Sequence, residues 1–260
     1  MTVRPILALA LSVLALLDAR PTMAADELTV MTSGGFAQVY REVLPRFEAE
    51  TRIKVTTLSG ASQGTGPKTI KHQLENGTYT DLVILSREGL VDLDRAGLIA
   101  AGSEVPLATT PLAAAVRQGA PKPDIGTLAA FKQALLDARL VAMPGSTSGL
   151  FVRDTVFPKL GISDTVSLKL VPRGLESTGM LAAGEVNMAI GPASELVNQP
   201  GIVFVGVLPP EIQLVQVFTA AVTKASHHRD LADKLTAFLR TEAVVPAIER
   251  ARMEPAGANP

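Results

Sequence analysis

Five times along this chain a short apolar run gives way to a turn of glycine, serine and threonine, and the turn opens a helix. Leu28–Thr32 leads into Ser33-Gly34-Gly35, and Ile53–Leu58 leads into the long turn from Ser59 to Pro67. Leu140–Met143 precedes Pro144-Gly145-Ser146-Thr147-Ser148-Gly149. Leu168–Val171 precedes the stretch from Gly174 to Thr178, and Val186–Ile190 precedes Gly191-Pro192-Ala193-Ser194. Strands alternating with helices in this way need crossover connections, which predicts an α/β fold with a parallel sheet and helices on its faces. At each junction the first N–H groups of the helix have no partner, and the helix dipole adds partial positive charge there. Ligands of open α/β sheets sit outside the carboxyl ends of the strands. Glycine and serine are ordinary turn residues, so one such turn means little. Five, divided between two halves of the chain, predict a cleft that holds a small anion.

The order of the elements suggests where the halves divide. Phe36–Glu50 places apolar residues at Phe36, Val39, Tyr40, Val43, Leu44 and Phe47, the spacing of an amphipathic helix, with a kink or break expected at Pro45. Thr80–Leu85 ends in a continuous apolar run, as a strand buried on both faces should. The rhythm then breaks between Gly102 and Pro123, which contains Pro106, Pro111, Pro121 and Pro123 around a small alternating run at Leu112, Ala114 and Val116. That stretch is read as a crossing into a second lobe. Lobe 1 is expected at residues 26–103 plus 223–260, and lobe 2 at residues 104–222. The last helix is expected from Ser226 to about Arg240, with a shorter one from Glu242 to Ala251. A monomer that closes on its ligand by a hinge fits this layout.

Composition removes several classes of function. A net charge of −1 gives no broad basic field for nucleic acid. Eight Phe, two Tyr and no Trp make a poor stacking platform. The absence of cysteine removes thiol catalysis, thiolate metal sites and disulfides together. Three histidines, with His227 and His228 adjacent at the start of a surface helix, do not form a metal centre, and no cofactor is expected. Residues 1–25 read as a signal peptide: Arg4 precedes an uncharged apolar run from Ile6 to Leu17, and Thr22-Met23-Ala24 offers small residues near a cleavage point. An uncleaved anchor is the alternative. Export implies a periplasmic location.

Particular residues resemble a known family. Leu28-Thr29-Val30 before its Ser-Gly turn, Gly60-Ala61-Ser62, Asp81-Leu82-Val83 and the run from Ala183 to Ile190 resemble landmarks of the periplasmic molybdate-binding-protein-like family. These are type II solute-binding proteins of ABC transporters. The resemblance spans nearly all of the chain after the leader. It implies two α/β lobes joined by crossing strands, a ligand cleft between them, final helices that return to the first lobe, and an ABC permease as partner. The family's oxyanion contacts carry over onto Ser33 and Ser62. Where molybdate binders present a tyrosine in the last binding turn, this chain has Gly191-Pro192-Ala193-Ser194. The chain is also similar to the branch that includes aconitate isomerase. That similarity rests on Ser33-Gly34-Gly35, Ala61-Ser62 followed by Gly66-Pro67 and Ile70, the run from Ala115 to Ile125, and Ser148-Gly149.

The candidate ligand-binding residues are therefore Ser33, Gly34, Ser62, Thr65, Ser148, Gly149, Arg153 and Ser194. The serines are equally the residues that cap helices, and sequence alone does not separate the two roles. Arg153 stands one helical turn beyond the hydroxyl-rich third turn and could clamp a carboxylate, the alternative being a surface pair with Asp154. This makes an organic di- or tricarboxylate a candidate beside a small oxyanion. Two readings result: a receptor that captures a small oxyanion or carboxylate for ABC-type transport, or an isomerase that interconverts cis- and trans-aconitate. The second needs a base in the cleft, for which Lys68, His72 and Glu176 are candidates without an assignment.

Overall fold

The computed structural model describes residues 26–257, so the expected leader at residues 1–25 lies outside the described residues. The strands are β1 (Glu27–Thr32), β2 (Lys54–Ser59), β3 (Leu82–Ser86), β4 (Val105–Arg117), β5 (Leu140–Pro144), β6 (Ser167–Val171), β7 (Met188–Pro192), β8 (Ile202–Val207), β9 (Val215–Val222) and β10 (Glu254–Pro255). The helices are α1 (Gly34–Thr51), α2 (Ile70–Glu75), α3 (Arg87–Arg95), α4 (Leu128–Ala138), α5 (Thr147–Phe151), α6 (Phe157–Leu160), α7 (Gly174–Ala183), α8 (Ala193–Leu196), α9 (Arg229–Phe238) and α10 (Val245–Arg250). The main strand order is β2-β1-β3-β9-β4-β7-β5-β6, with β8 and β10 also pairing with β4.

This order makes a mixed α/β protein with two lobes. In the first, β1 pairs in parallel with β2 and β3, and in the second β5 pairs in parallel with β6 and β7. Antiparallel β9 and β4 stand between them. Each lobe has its own apolar clusters. One gathers Phe36, Tyr40, Phe47 and Ile84 with Leu235 and Ile248 from the last helices; the other gathers Leu112, Phe131, Val141, Phe157 and Ile190.

The crossing stretch is more regular than its prolines suggested. It is one long strand, β4, which pairs with β9 over Val105–Pro111 and with β7 and β8 over Leu112–Arg117. Pro106 is tolerated because the register shifts beside it, and Pro111 falls at the last pair with β9, just before the partners change. Proline lacks the N–H that an unbroken ladder needs, so both sit where the ladder is irregular or ends. Residues Val105–Pro111 and β9 pack with the first cluster, so the core changes at Pro111–Leu112, inward of residues 104 and 222.

Helix α1 also corrects an expectation, since it runs unbroken through Pro45. Pro45 lies on the exposed face with Arg41, so the carbonyl that loses its i+4 donor is on the solvent side. In the tail, α9 starts at Arg229 and α10 at Val245, each three residues later than expected. His228 turns its Nδ1 to within 3.3 Å of Asp81 Oδ1, so the pair is not wholly solvated.

Asp81 explains one of the sequence landmarks. It accepts from the Thr29 N–H at 2.9 Å, from the Tyr79 hydroxyl at 2.5 Å and from Ser226 Oγ at 2.9 Å. Burial pushes its pKa up, but these donors and nearby His228 outweigh burial and hold it below the usual carboxylate value. This motif ties strand β1 to the first turns of the tail and lies away from the cavity described next.

Candidate functional site

The turns that end β1, β2, β5, β6 and β7 converge on one cavity between the lobes. Its wall is Ser33, Gly34, Gly35, Ala61, Ser62, Pro144, Ser146, Ser148, Pro172, Arg173, Gly174, Pro192 and Glu195, closed by Gln216 and Phe218 from β9. Its volume is about 30 Å³, room for little more than a water, so a larger ligand is admitted only when the lobes part. Two longer helices, α1 and α7, begin at this wall, at Gly34 and Gly174. Their positive ends therefore face the same space.

The lobes touch around the cavity through polar groups. Gln63 donates its backbone N–H to Ser146 Oγ at 3.1 Å, and Arg173 donates to Ser59 Oγ at 2.8 Å. Lys68 and Glu176 pair at 3.2 Å at the exposed rim. Gly64 has φ +104°, and a side chain there would run into the Gly145 carbonyl of the other lobe. Closeness and backbone shape both require glycine at this contact.

Several polar atoms of the cavity and the chamber beside it are buried without a hydrogen-bond partner: Ser33 Oγ, Ser194 Oγ, Gln216 Oε1, Glu195 Oε2 and Arg173 Nε, the last 3.7 Å from Glu176 Oε1. Buried polar groups are ordinarily paired, so a cluster of orphans implies something polar that belongs among them. Ser33 is the N-cap residue of α1, yet its hydroxyl makes no capping bond. Its hydroxyl is thus free to donate inward. Ser62 Oγ accepts from the Ser86 N–H at 3.0 Å and retains its own hydrogen for another acceptor.

The predicted residues divide among three places. Ser33, Gly34, Ser62 and Ser148 line the central cavity. Ser194 lines the adjoining chamber, which shares Ser33, Gly34, Arg173 and Glu195 with the cavity and adds Gln38, Arg41 and Gln199. Thr65 and Arg153 lie on a wide outer groove. Arg153 is half exposed and bonded to Asp154 by Nε at 2.5 Å, so its charge is spent on its neighbour and it is outside the central cavity. Gly149 serves packing, since a side chain there would overlap the Pro144 carbonyl. Of the candidate bases, His72 is exposed, and Lys68 and Glu176 pair with each other at the rim.

Two charged residues that the sequence reading passed over stand in the cavity wall. Arg173 and Glu195 are the only ionisable side chains that line it among the described residues. Glu195 lies on α8, immediately after Ser194, and makes no salt bridge among the described residues. Its carboxyl group occupies the space that side chains at Gly34 and Gly174 would fill. Part of the residue remains accessible, but Oε2 is sealed. Burial pushes its pKa up to about 7. Only one signal in the sequence pointed to it: an acid at the start of a short helix after the fifth turn. The glycines that admit it are remote in sequence.

Among the described residues no group of three or more His, Cys, Asp or Glu is placed to hold a metal ion, and no helix is long and apolar enough to cross a membrane. The family model for bacterial extracellular solute-binding proteins matches residues 28–253. An aconitate isomerase from a Pseudomonas species is 35% identical over 249 residues, which is 94% of this chain and 95% of that protein. The periplasmic molybdate-binding protein of Azotobacter vinelandii superposes with a TM-score of 0.68 at 18% identity, covering 87% of this chain and 98% of that one. A sulfate-binding protein of Mycobacterium tuberculosis gives 0.67 at 20% identity, with 90% and 88% covered. At these identities the two structures speak for the fold.

Proposed function

Because the chain belongs to the bacterial extracellular solute-binding protein family, we propose that it closes two lobes over a small tricarboxylate of the aconitate type and isomerises it. The observation that carries this reading is the wall of the cavity: anion donors stand beside an acid that has no cation partner. Ser33, Ser62, Arg173 and the starts of α1 and α7 suit carboxylate oxygens. In a receptor for anions that carboxyl group would have to be protonated to meet its ligand. An isomerase that moves a double bond along a carbon chain must take a proton from one carbon and return one to another. The name and full-length coverage of the Pseudomonas relative support the same chemistry. The expected setting is the periplasm, and the protein acts as a monomer.

The test is to incubate the protein with cis-aconitate in deuterated water and follow it by proton NMR. The trans isomer should form, with deuterium entering the substrate. Saturable binding without isomerisation or exchange would reject the enzyme.

A receptor for a small carboxylate that hands its ligand to an ABC permease is the second reading. The half-buried latch contacts between the lobes favour it, since a capture protein also needs a closed state. Calorimetric binding of a carboxylate with no turnover of any isomerisable ligand would support it.

A further inference from the structure

The cavity offers one acid, and its surroundings determine what that acid can do. Arg173, the other ionisable group in the wall, presents a guanidinium, which donates hydrogen bonds and does not serve as a base. The remaining lining side chains are hydroxyls, an amide, prolines, an alanine and a phenylalanine. None of them exchanges protons readily near neutral pH. Lys68, His72 and Glu176 are all outside the cavity lining. If a proton moves within this enclosure, one residue must move it.

We propose that Glu195 is the catalytic acid–base of this site and that it serves both halves of the transfer. The inference rests on the isomerase reading and names the group that reading requires. The ionised carboxyl group takes a proton from the methylene carbon of the bound tricarboxylate. As the C–H bond breaks and an O–H bond forms, the electron pair spreads into the adjacent double bond and its conjugated carboxylate. The same carboxyl group then gives its proton to the far carbon of the three-carbon unit. The double bond has moved by one position, Glu195 is ionised again, and no oxidant or reductant is consumed. The tricarboxylate skeleton is the same read from either end, so the product is again aconitate, and it is the geometric isomer when the methylene arm is held in the rotamer that becomes the opposite geometry.

The structure supplies what such a group needs. Gly34 and Gly174 leave its carboxyl group against the starts of α1 and α7, where the Ser33 hydroxyl, Ser194 hydroxyl and Arg173 also gather. Those donors can hold the carboxylates that receive charge in the transition state. From β9, Gln216 faces the cavity with an unpartnered oxygen and Phe218 contributes an apolar wall. With burial holding its pKa at about 7, Glu195 can give and take a proton at comparable cost near neutral pH. An ordinary surface glutamate would be too weak a base for the first half.

The experiment compares the full-length mature protein with Glu195→Gln and Glu195→Asp, using cis-aconitate in deuterated water by NMR and the same compound in calorimetry. Glu195→Gln should lower turnover and deuterium exchange at least a hundredfold while the dissociation constant changes less than fivefold. Glu195→Asp should keep a measurable fraction of the rate. The wild-type kcat/KM should rise with pH through an ionisation near neutrality that the Gln variant lacks. A wild type that isomerises, with Glu195→Gln within tenfold of it, overturns the assignment alone. A wild type that binds cis-aconitate but neither isomerises nor exchanges it overturns the isomerase reading and the assignment together.

Discussion

Ser86 and Thr147 come from different lobes, and their hydroxyls meet 2.8 Å apart with both residues buried. Thr147 also donates to Gln63 Oε1 at 3.0 Å, so its oxygen accepts from Ser86. The chain of hydroxyls therefore has one direction and no spare donor. In an open form each group would be hydrated instead, so the net gain is only about 1 kcal/mol per bond. Such a latch is too weak to keep the lobes shut unaided, which leaves the ligand to decide the closed population.

Thr147→Val should therefore loosen closure without unfolding either lobe. Ligand affinity should fall about five- to thirtyfold, from the loss of roughly one to two net hydrogen bonds. Calorimetry with cis-aconitate checks the affinity, and small-angle scattering should find that the variant needs more ligand than the wild type to contract.

Gly64→Ala attacks the same interface sterically. A methyl there meets the Gly145 carbonyl, and the φ of +104° disfavours any other residue. Affinity should drop more than tenfold, and ligand should no longer contract the molecule in scattering. An unchanged contraction would show that this contact is not needed for closure.

Arg173, rather than Arg153, should carry the electrostatic share of binding. Arg173 lines the cavity with a buried Nε that makes no hydrogen bond and stands 3.7 Å from Glu176, whereas Arg153 is bonded to Asp154 outside the cavity. Arg173→Met should weaken aconitate binding by about 1.5–3 kcal/mol, the range for a hydrogen bond to a charged group. Arg153→Met should change it by less than twofold. Titration calorimetry of the two variants under identical salt decides between them.

Glu195 should also leave a signature in stability. Its pKa is raised from 4.5 to about 7 in the folded protein, so folding favours the protonated form. Its contribution is full below about pH 4.5, declines as the pH rises, and is lost above about 7. The span is on the order of 3 kcal/mol. Urea unfolding between pH 5 and 8 should find this decline in the wild type, and a flatter profile in Glu195→Gln.

Asp81 gives the opposite sign and a control outside the cavity. Its pKa is held low, so its stabilisation is present at neutral pH and lost as the pH falls through the folded value. Asp81→Asn should cost about 1–3 kcal/mol, because charge-assisted bonds from Thr29, Tyr79 and Ser226 are weakened. Thermal melting should register the loss while aconitate affinity stays unchanged.

The sequence by itself determined the parts that depend on neighbours along the chain. Alternating apolar runs and glycine-hydroxyl turns specify strands and helices within a few residues, and the repeat of that unit requires the parallel strands that each lobe contains. It also put Ser33, Gly34, Ser62 and Ser148 at strand ends, which is where the fold gathers them. Tertiary structure alone decided what those turns enclose. Proline signals could not reveal β4 as one long strand, because a shift of register and a change of partner absorb the missing N–H groups. Arg153 and Arg173 look alike in sequence, and only the fold turns one outward to Asp154 and the other into the cavity. Glu195 was barely legible for a stronger reason. Its environment is made by Gly34 and Gly174, far away in the chain, and the cost of burying a carboxylate depends on what surrounds it in space.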